Sequence, residues 1–239
     1  DQFSPDVEIY SIDEAFLSLE GFFDLDERAR EIRDVVKRWS GIPVSVGVAP
    51  TKTLTKIANR VAKRWPGYDG AYVMAEEERE AVLAKIDISD VWGVGCQLTK
   101  HLNAMGISTA LEFACLDARQ VRAKFSVVVE RTLRELQGTP CIPLEEVRPH
   151  PRNIIVSRGF KGRVKSGRHL AEAVSFHTSR AAEKAREKKV AARAITVFIR
   201  TDPFQKEDYY AGSVTYNFTT ETNDTRRMVE AALMLLKRL

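Results

Sequence analysis

Two acidic residues in succession, Asp13 and Glu14, carry the sharpest chemical signal in this 239-residue sequence. They separate two runs rich in Val, Ile, Tyr and Phe, residues 7–12 and 15–22, which read as strands. In mid-strand, neighbouring side chains leave on opposite faces of the sheet. At the tip of a tight hairpin joining the two runs the acids converge instead, and paired carboxylates there are hard-oxygen ligands suited to Mg²⁺. An Asp-Glu dipeptide alone is usually a polar turn. Here Ile12, Ala15 and Phe16 flank it, so the acids emerge from an apolar layer.

Two further groups suit a phosphate-rich ligand. Lys52, Lys56, Asn59 and Lys63 stand at i, i+4, i+7 and i+11 of a helix expected over 51–64, which places them on one face. Ammonium groups on that face can offset the charge of a triphosphate, although many such faces are simply solvated. Trp92-Gly93-Val94-Gly95 lies between two helical stretches, with Lys100 on the second. Glycines let backbone N–H groups approach a phosphate, and the following helix adds its positive end. Gly-x-Gly alone is most often a loop, and backbone contact of this kind reads no base sequence.

The elements that must hold these groups follow from periodicity and punctuation. Residues 26–39 have apolar positions at helical spacing, residues 43–48 read as a strand, and the helix at 51–64 follows. This alternation predicts an α/β or α+β layer. From 76 to 138 there is no convincing strand. Short helices are expected near 77–85, 97–105, 110–115, 118–124 and 127–136, with Gly138 at a helix end. Three prolines within 142–152 mark a linker. Beyond it, 154–157 reads as a strand, 167–189 as a long helix, 193–200 and 209–218 as strands, and 225 onward as a helix. This is β-α-β-β-α, one strand short of a β-α-β-β-α-β unit.

Charge is segregated. Residues 152–239 carry 18 Lys and Arg against 9 Asp and Glu, while residues 1–151 carry 19 against 24. A basic final part predicts a polyanionic partner. Three widely spaced cysteines fit a reducing cytoplasm better than a disulfide framework. The four histidines show no zinc-ligand spacing, and no apolar run approaches a membrane span.

The segment Tyr10-Ser11-Ile12-Asp13-Glu14-Ala15-Phe16, with its flanking strands, resembles the signature of Y-family translesion DNA polymerases. Residues 41–67 resemble the strand and helix that follow it in the family's palm. Residues 90–107 are similar to the helix-hairpin-helix of its thumb. The tract 130–141 and the Ser157-Arg158-Gly159-Phe160 beyond it resemble the UmuC branch, and the tract 129–146 with the inserted Arg64-Trp65 tilts the resemblance toward it rather than the DinB branch, polymerase IV. The resemblance implies an α+β multidomain fold: a partial catalytic palm at 1–75, a thumb at 76–141, a linker at 142–152 and an incomplete little finger at 153–239. It implies error-prone nucleotide addition to a primer 3′ end in the SOS response, in the bacterial cytoplasm at the nucleoid, with two Mg²⁺ ions held by Asp13 and Glu14. Lys63, and second to it Lys52, would meet the incoming dNTP. Gly93, Gly95, Lys100, Arg158 and Arg200 would meet primer-template DNA. Partners implied are a processed UmuD dimer and the sliding clamp. The family's other aspartate, on a first palm strand, and its fingers have no counterpart in this sequence. The chain is therefore expected to be a piece that is inactive alone, and a non-catalytic DNA-binding role is the alternative.

Overall fold

The computed structural model describes residues 2–145, 152–162, 164, 166–202 and 209–239. The chain divides into two compact units, Asp1–Arg148 and Pro149–Leu239. The division falls within the expected linker, of which residues 146–151 lie outside the described residues.

The first unit opens with β1 (Val7–Ile9) and β2 (Ala15–Leu17), paired antiparallel with Glu8 opposite Phe16. Helix α1 (Leu25–Ser40) ends where Gly41 turns to φ 71° and its N–H closes on the Lys37 carbonyl. Strands β3 (Val46–Val48) and β4 (Ala71–Val73) pair in parallel. Parallel neighbours need a crossover, and α2 (Lys52–Arg64) supplies it, capped by Thr51, whose side chain accepts the Leu54 N–H. A Cβ on Gly47 would lie 2.0 Å from the backbone nitrogen of Asn59, so only glycine lets α2 lie this close to β3. The strand expected over 43–48 is confined to 46–48. Strand β4 was not anticipated, because a run of three residues carries no readable period.

A 3₁₀ turn at Glu76–Glu78 leads into α3 (Arg79–Leu83), and a second at Ile88–Asp90 precedes α4 (Cys96–Ala104). Then come α5 (Ala110–Ala114), α6 (Ala118–Lys124) and α7 (Val127–Leu136). Side-chain caps begin the last three: a Thr109–Glu112 capping box, Asp117 and Ser126. Leu54, Ile57 and Val61 of α2, Tyr72 of β4, and Leu83, Ile88, Leu102, Phe113, Leu133 and Leu136 form one buried cluster. The segments expected as 1–75 and 76–141 therefore share a core.

In the second unit, α8 (Gly167–Glu187) is followed by β5 (Ala192–Arg200), β6 (Ala211–Thr222) and α9 (Thr225–Leu236). The strands pair antiparallel with Val197 opposite Val214, and the register shifts between Ala192 and Ala194. The core is small: Val197, Ala232 and Leu235 are buried, with Val174, Ile195, Val214 and Leu239 packed on them. The strand expected over 154–157 joins no ladder, and Ile155 is 69% exposed. Among the described residues this unit is α-β-β-α rather than β-α-β-β-α. A strand is defined by its hydrogen-bonded neighbour, whereas four apolar residues supply only the propensity. No helix among the described residues is long and apolar enough to cross a membrane.

Candidate active site

The acids sit in a five-residue loop, 10–14, rather than at a two-residue tip. The N–H groups of Tyr10 and Ser11 both donate to the Glu14 carbonyl at 3.0 Å, which draws the loop closed and takes Ser11 and Ile12 out of the ladder. Asp13 and Glu14 are both exposed. Each carboxylate has its own partner: Asp13 accepts from the Ser11 hydroxyl, and Glu14 accepts from Lys56 Nζ at 2.6 Å.

Lys56, recognised in the sequence only as one of a basic face, stands inside a ring of aromatics. Its ammonium lies 4.8 Å from the Tyr10 ring centroid, 5.6 Å from that of Phe16 and 5.8 Å from that of Trp92. The rings hold one another: Tyr10 meets Trp92 edge-on at 5.5 Å and Phe16 at 5.6 Å, and Trp92 Nε1 donates to the Tyr10 hydroxyl at 3.2 Å. Trp92 belongs to the glycine-bearing hairpin before α4, so this contact ties that hairpin to the acidic loop. Nothing in local spacing reveals it; the aromatic residue four positions before Glu14 is the only hint.

Lys52, the second lysine expected to meet a nucleotide, is placed otherwise. Its side chain is 8% exposed, forms an ion pair with Glu8 of β1, and donates to the Pro143 carbonyl at 2.7 Å. Glu8 also accepts the Glu145 N–H at 2.7 Å. Burial pushes the Glu8 carboxyl upward, but the Lys52 hydrogen bond, the Glu145 N–H and the Lys52 charge outweigh it and hold it below its ordinary value. Beside this pair lies Glu135, fully buried. One carboxylate oxygen accepts from the N–H and hydroxyl of Thr53, the other from the N–H groups of Cys141 and Ile142, all at 2.9 Å. These donors, two of them at the start of α2, occupy both oxygens of the buried carboxyl group. They fasten α2, α7 and the segment after α7 into one block.

Lys63 is exposed on the last turn of α2 and borders an open cleft with Arg33, Lys37 and Asp69. Gly93 adopts φ 88°, which favours glycine, and a Cβ there would lie 3.3 Å from the Thr132 hydroxyl. Gly95 is the N-cap residue of α4 with open space where a Cβ would point, and no side chain caps the helix. Lys100 is exposed on α4. In the second unit Arg158 is exposed in an irregular segment, and Arg200 is exposed at the end of β5. Arg163 and Lys165, which with Arg158, Lys161 and Arg168 form a basic cluster in the sequence, lie outside the described residues. Much of the remaining basic surface is already paired: Arg168 with Glu172, Arg180 with Glu183 and Arg193 with Glu221.

The donor set of the loop is chemically right for Mg²⁺, since both side chains are carboxylates and both are accessible. It is also short. Among the described residues no group of three or more His, Cys, Asp or Glu is arranged to hold a metal.

Comparison with known proteins places this geometry in a family. A sequence model of the impB/mucB/samB family matches residues 1–60, and a model of the C-terminal domain of the same family matches residues 151–239. The chain is 43% identical over 241 residues to Protein UmuC of Salmonella typhimurium, covering 98% of this chain and 57% of that protein. It is 40% identical to Protein ImpB of the same organism, with the same coverages. A DNA polymerase IV of Halobacterium salinarum is 29% identical, over 81% of this chain and 47% of its own length. The chain thus spans somewhat over half the length of the UmuC-like proteins it matches. Among solved structures, a Y-family DNA polymerase chimera, Dbh-Dpo4(243-245)-Dbh, matches in fold with a TM-score of 0.72 at 23% identity, over 99% of this chain and 66% of that one. The acidic loop, the helix behind it and the basic C-terminal unit are therefore parts of a chain that belongs to the impB/mucB/samB family, with UmuC and ImpB among its relatives.

Proposed function

We propose that this chain carries part of the catalytic palm, the thumb and most of the little finger of an error-prone translesion DNA polymerase of the UmuC type. Its reaction is addition of deoxynucleotides to a primer 3′ end. The observation that carries this reading is the exposed pair Asp13 and Glu14 on a loop fixed by a buried block, in a chain 43% identical to UmuC.

Asp13 and Glu14 would hold divalent cations, with the other ligands coming from the nucleotide and from elsewhere in the polymerase. When bound, two such ions stabilise the attacking and leaving oxygens of phosphoryl transfer. Lys63, exposed beyond the loop on α2, offsets triphosphate charge. Gly93 and Gly95 leave the first N–H groups of α4 open to a DNA phosphate, with Lys100 adding positive charge. Arg200 and Arg158 hold further phosphates. Beside Arg200, the outward residues of β5 and β6 include the hydrogen-bonded Thr196 and Thr215 and the exposed Phe198, and they would face the backbone. A processed UmuD dimer and a sliding clamp are the partners this assignment brings, and damage-induced mutagenesis in the bacterial cytoplasm is its setting.

The test is primer extension by this chain joined to the N-terminal region of a UmuC relative. Extension in Mg²⁺ is expected, and Asp13→Asn or Glu14→Gln should each reduce it by at least about 100-fold, the scale on which charge-stabilising groups act. Full activity in either variant would sink the assignment.

A further inference from the structure

The ion pair between Lys56 and Glu14 differs from an ordinary surface pair. The lysine is 19% exposed although its partner is 42% exposed, and three rings surround its ammonium within 6 Å. Long lysines at a surface usually keep their charge in water. Here most of the side chain is shielded and the ammonium is held against Tyr10, Phe16 and Trp92, all in one ring-to-ring cluster. A half-shielded ammonium over aromatic faces is stabilised without any carboxylate. Lys56 can therefore give up Glu14 without losing its place, and Glu14 can accept another cation without leaving the loop.

The geometry points to Lys56 as a positioning residue for Glu14. Caged by Tyr10, Phe16 and Trp92, its ammonium stands in for the divalent cation at the Glu14 carboxylate and is exchanged for that cation on loading. This rests on the reading of Asp13 and Glu14 as cation ligands and adds to it. The exchange also gives the hairpin before α4 a line to the acidic loop. Trp92 touches Lys56 and bonds Tyr10, so a change in the Lys56–Glu14 pair reaches the residue preceding Gly93. Cation loading at the loop and phosphate contact at Gly93 and Gly95 are then felt by one cluster of side chains.

The experiment titrates Mn²⁺, as the probe for a hard divalent cation, into the whole 239-residue chain. Bound ion is counted by electron paramagnetic resonance, and tryptophan emission is recorded in parallel. If Lys56 competes with the cation, Lys56→Met binds Mn²⁺ about fivefold more tightly than wild type, the scale of one partly exposed charge pair. Lys56→Arg, which restores the competing charge, stays within about twofold of wild type. Wild type should show an emission change on loading that is absent in Trp92→Phe and in Lys56→Met, although both still bind. A lysine that only supported the fold would give weaker binding in Lys56→Met, the opposite sign. Unchanged or weaker binding in Lys56→Met, with binding still lost in Glu14→Gln, overturns the exchange and leaves the carboxylate site standing. Binding that survives in both Asp13→Asn and Glu14→Gln, or no saturable binding in wild type, overturns both.

Discussion

The base and the tip of one hairpin each pair a glutamate with a lysine of α2, one helical turn apart. At the base Glu8 meets Lys52, with side chains 9% and 8% exposed. At the tip Glu14 meets Lys56, 42% and 19% exposed. The residue types are the same, and so is the helix face. What differs is what completes each pair. At the base the pair is bonded from within, by the Pro143 carbonyl on Lys52 and the Glu145 N–H on Glu8, and Lys52 also lies 5.1 Å from the Phe16 ring centroid. At the tip the lysine leans on aromatic faces that make no claim on its donors, and the carboxylate faces solvent. A buried pair bonded from within acts as framework, whereas an exposed pair with one partner free to leave is what the proposed site requires. In sequence the two pairs cannot be told apart.

The largest effect should come from the framework beside the base. Glu135→Ala leaves the N–H groups of Thr53, Cys141 and Ile142 without their acceptor, the first fully buried and the other two half-buried. Unsatisfied buried donors cost about 1–3 kcal/mol each, so a loss of about 4–5 kcal/mol is expected after relaxation. Urea unfolding of the unit Asp1–Arg148, followed by tryptophan fluorescence, measures it. A loss under about 1 kcal/mol would mean that the block is not what fixes the acidic loop.

Next comes Lys52→Met, which strands the Glu8 carboxylate; breaking a buried pair this way costs about 3–5 kcal/mol, less here by what the Glu145 N–H retains. The same pair sets a pH dependence. The folded carboxyl of Glu8 is held below its unfolded value, so its stabilisation is complete above that value, about 4.3–4.5, and is lost as pH falls through the lower folded one. Wild type should lose stability on acidification below about pH 4.5. Lys52→Met should lose less over the same range, since its Glu8 is no longer held low. Parallel acid-unfolding profiles would contradict the assignment of that stability to the base pair.

How much of this was legible depends on how far apart the partners lie. Local chemistry was readable: α6 and α7 fall on the expected 118–124 and 127–136, Gly138 terminates α7 in a φ of 90°, and Thr51 opens α2. Each of these is a decision made within a few residues. That Asp13 and Glu14 stand in the link between two paired strands was readable because their neighbours are apolar. Glu135 and Lys56 were not, since the partners that give them meaning are 82 and 42 residues away, a distance at which spacing carries no signal. Lys52 misled for the same reason: its position on the basic face is local, its burial against Glu8 is not. The expected strand at 154–157 failed from the other side. Its composition was right, but no described strand pairs with it, and three short residues at 71–73 became a strand because β3 lay beside them.

The smallest effect on stability decides whether the comparison holds. Glu14→Gln removes the negative member of the tip pair and leaves its shape. Lys56 keeps its three aromatic neighbours, and the loop keeps both backbone bonds to the Glu14 carbonyl, which the substitution does not touch. Only the attraction between an exposed carboxylate and a half-shielded ammonium is lost, and pairs so open to solvent contribute about 0–1 kcal/mol. The urea midpoint should therefore move by no more than about 0.5 kcal/mol equivalent, even though cation binding and primer extension are expected to collapse. A drop as large as that of Lys52→Met would show the tip to be framework as well. Lys56 would then be holding the fold through Glu14, with no freedom to exchange it for a cation.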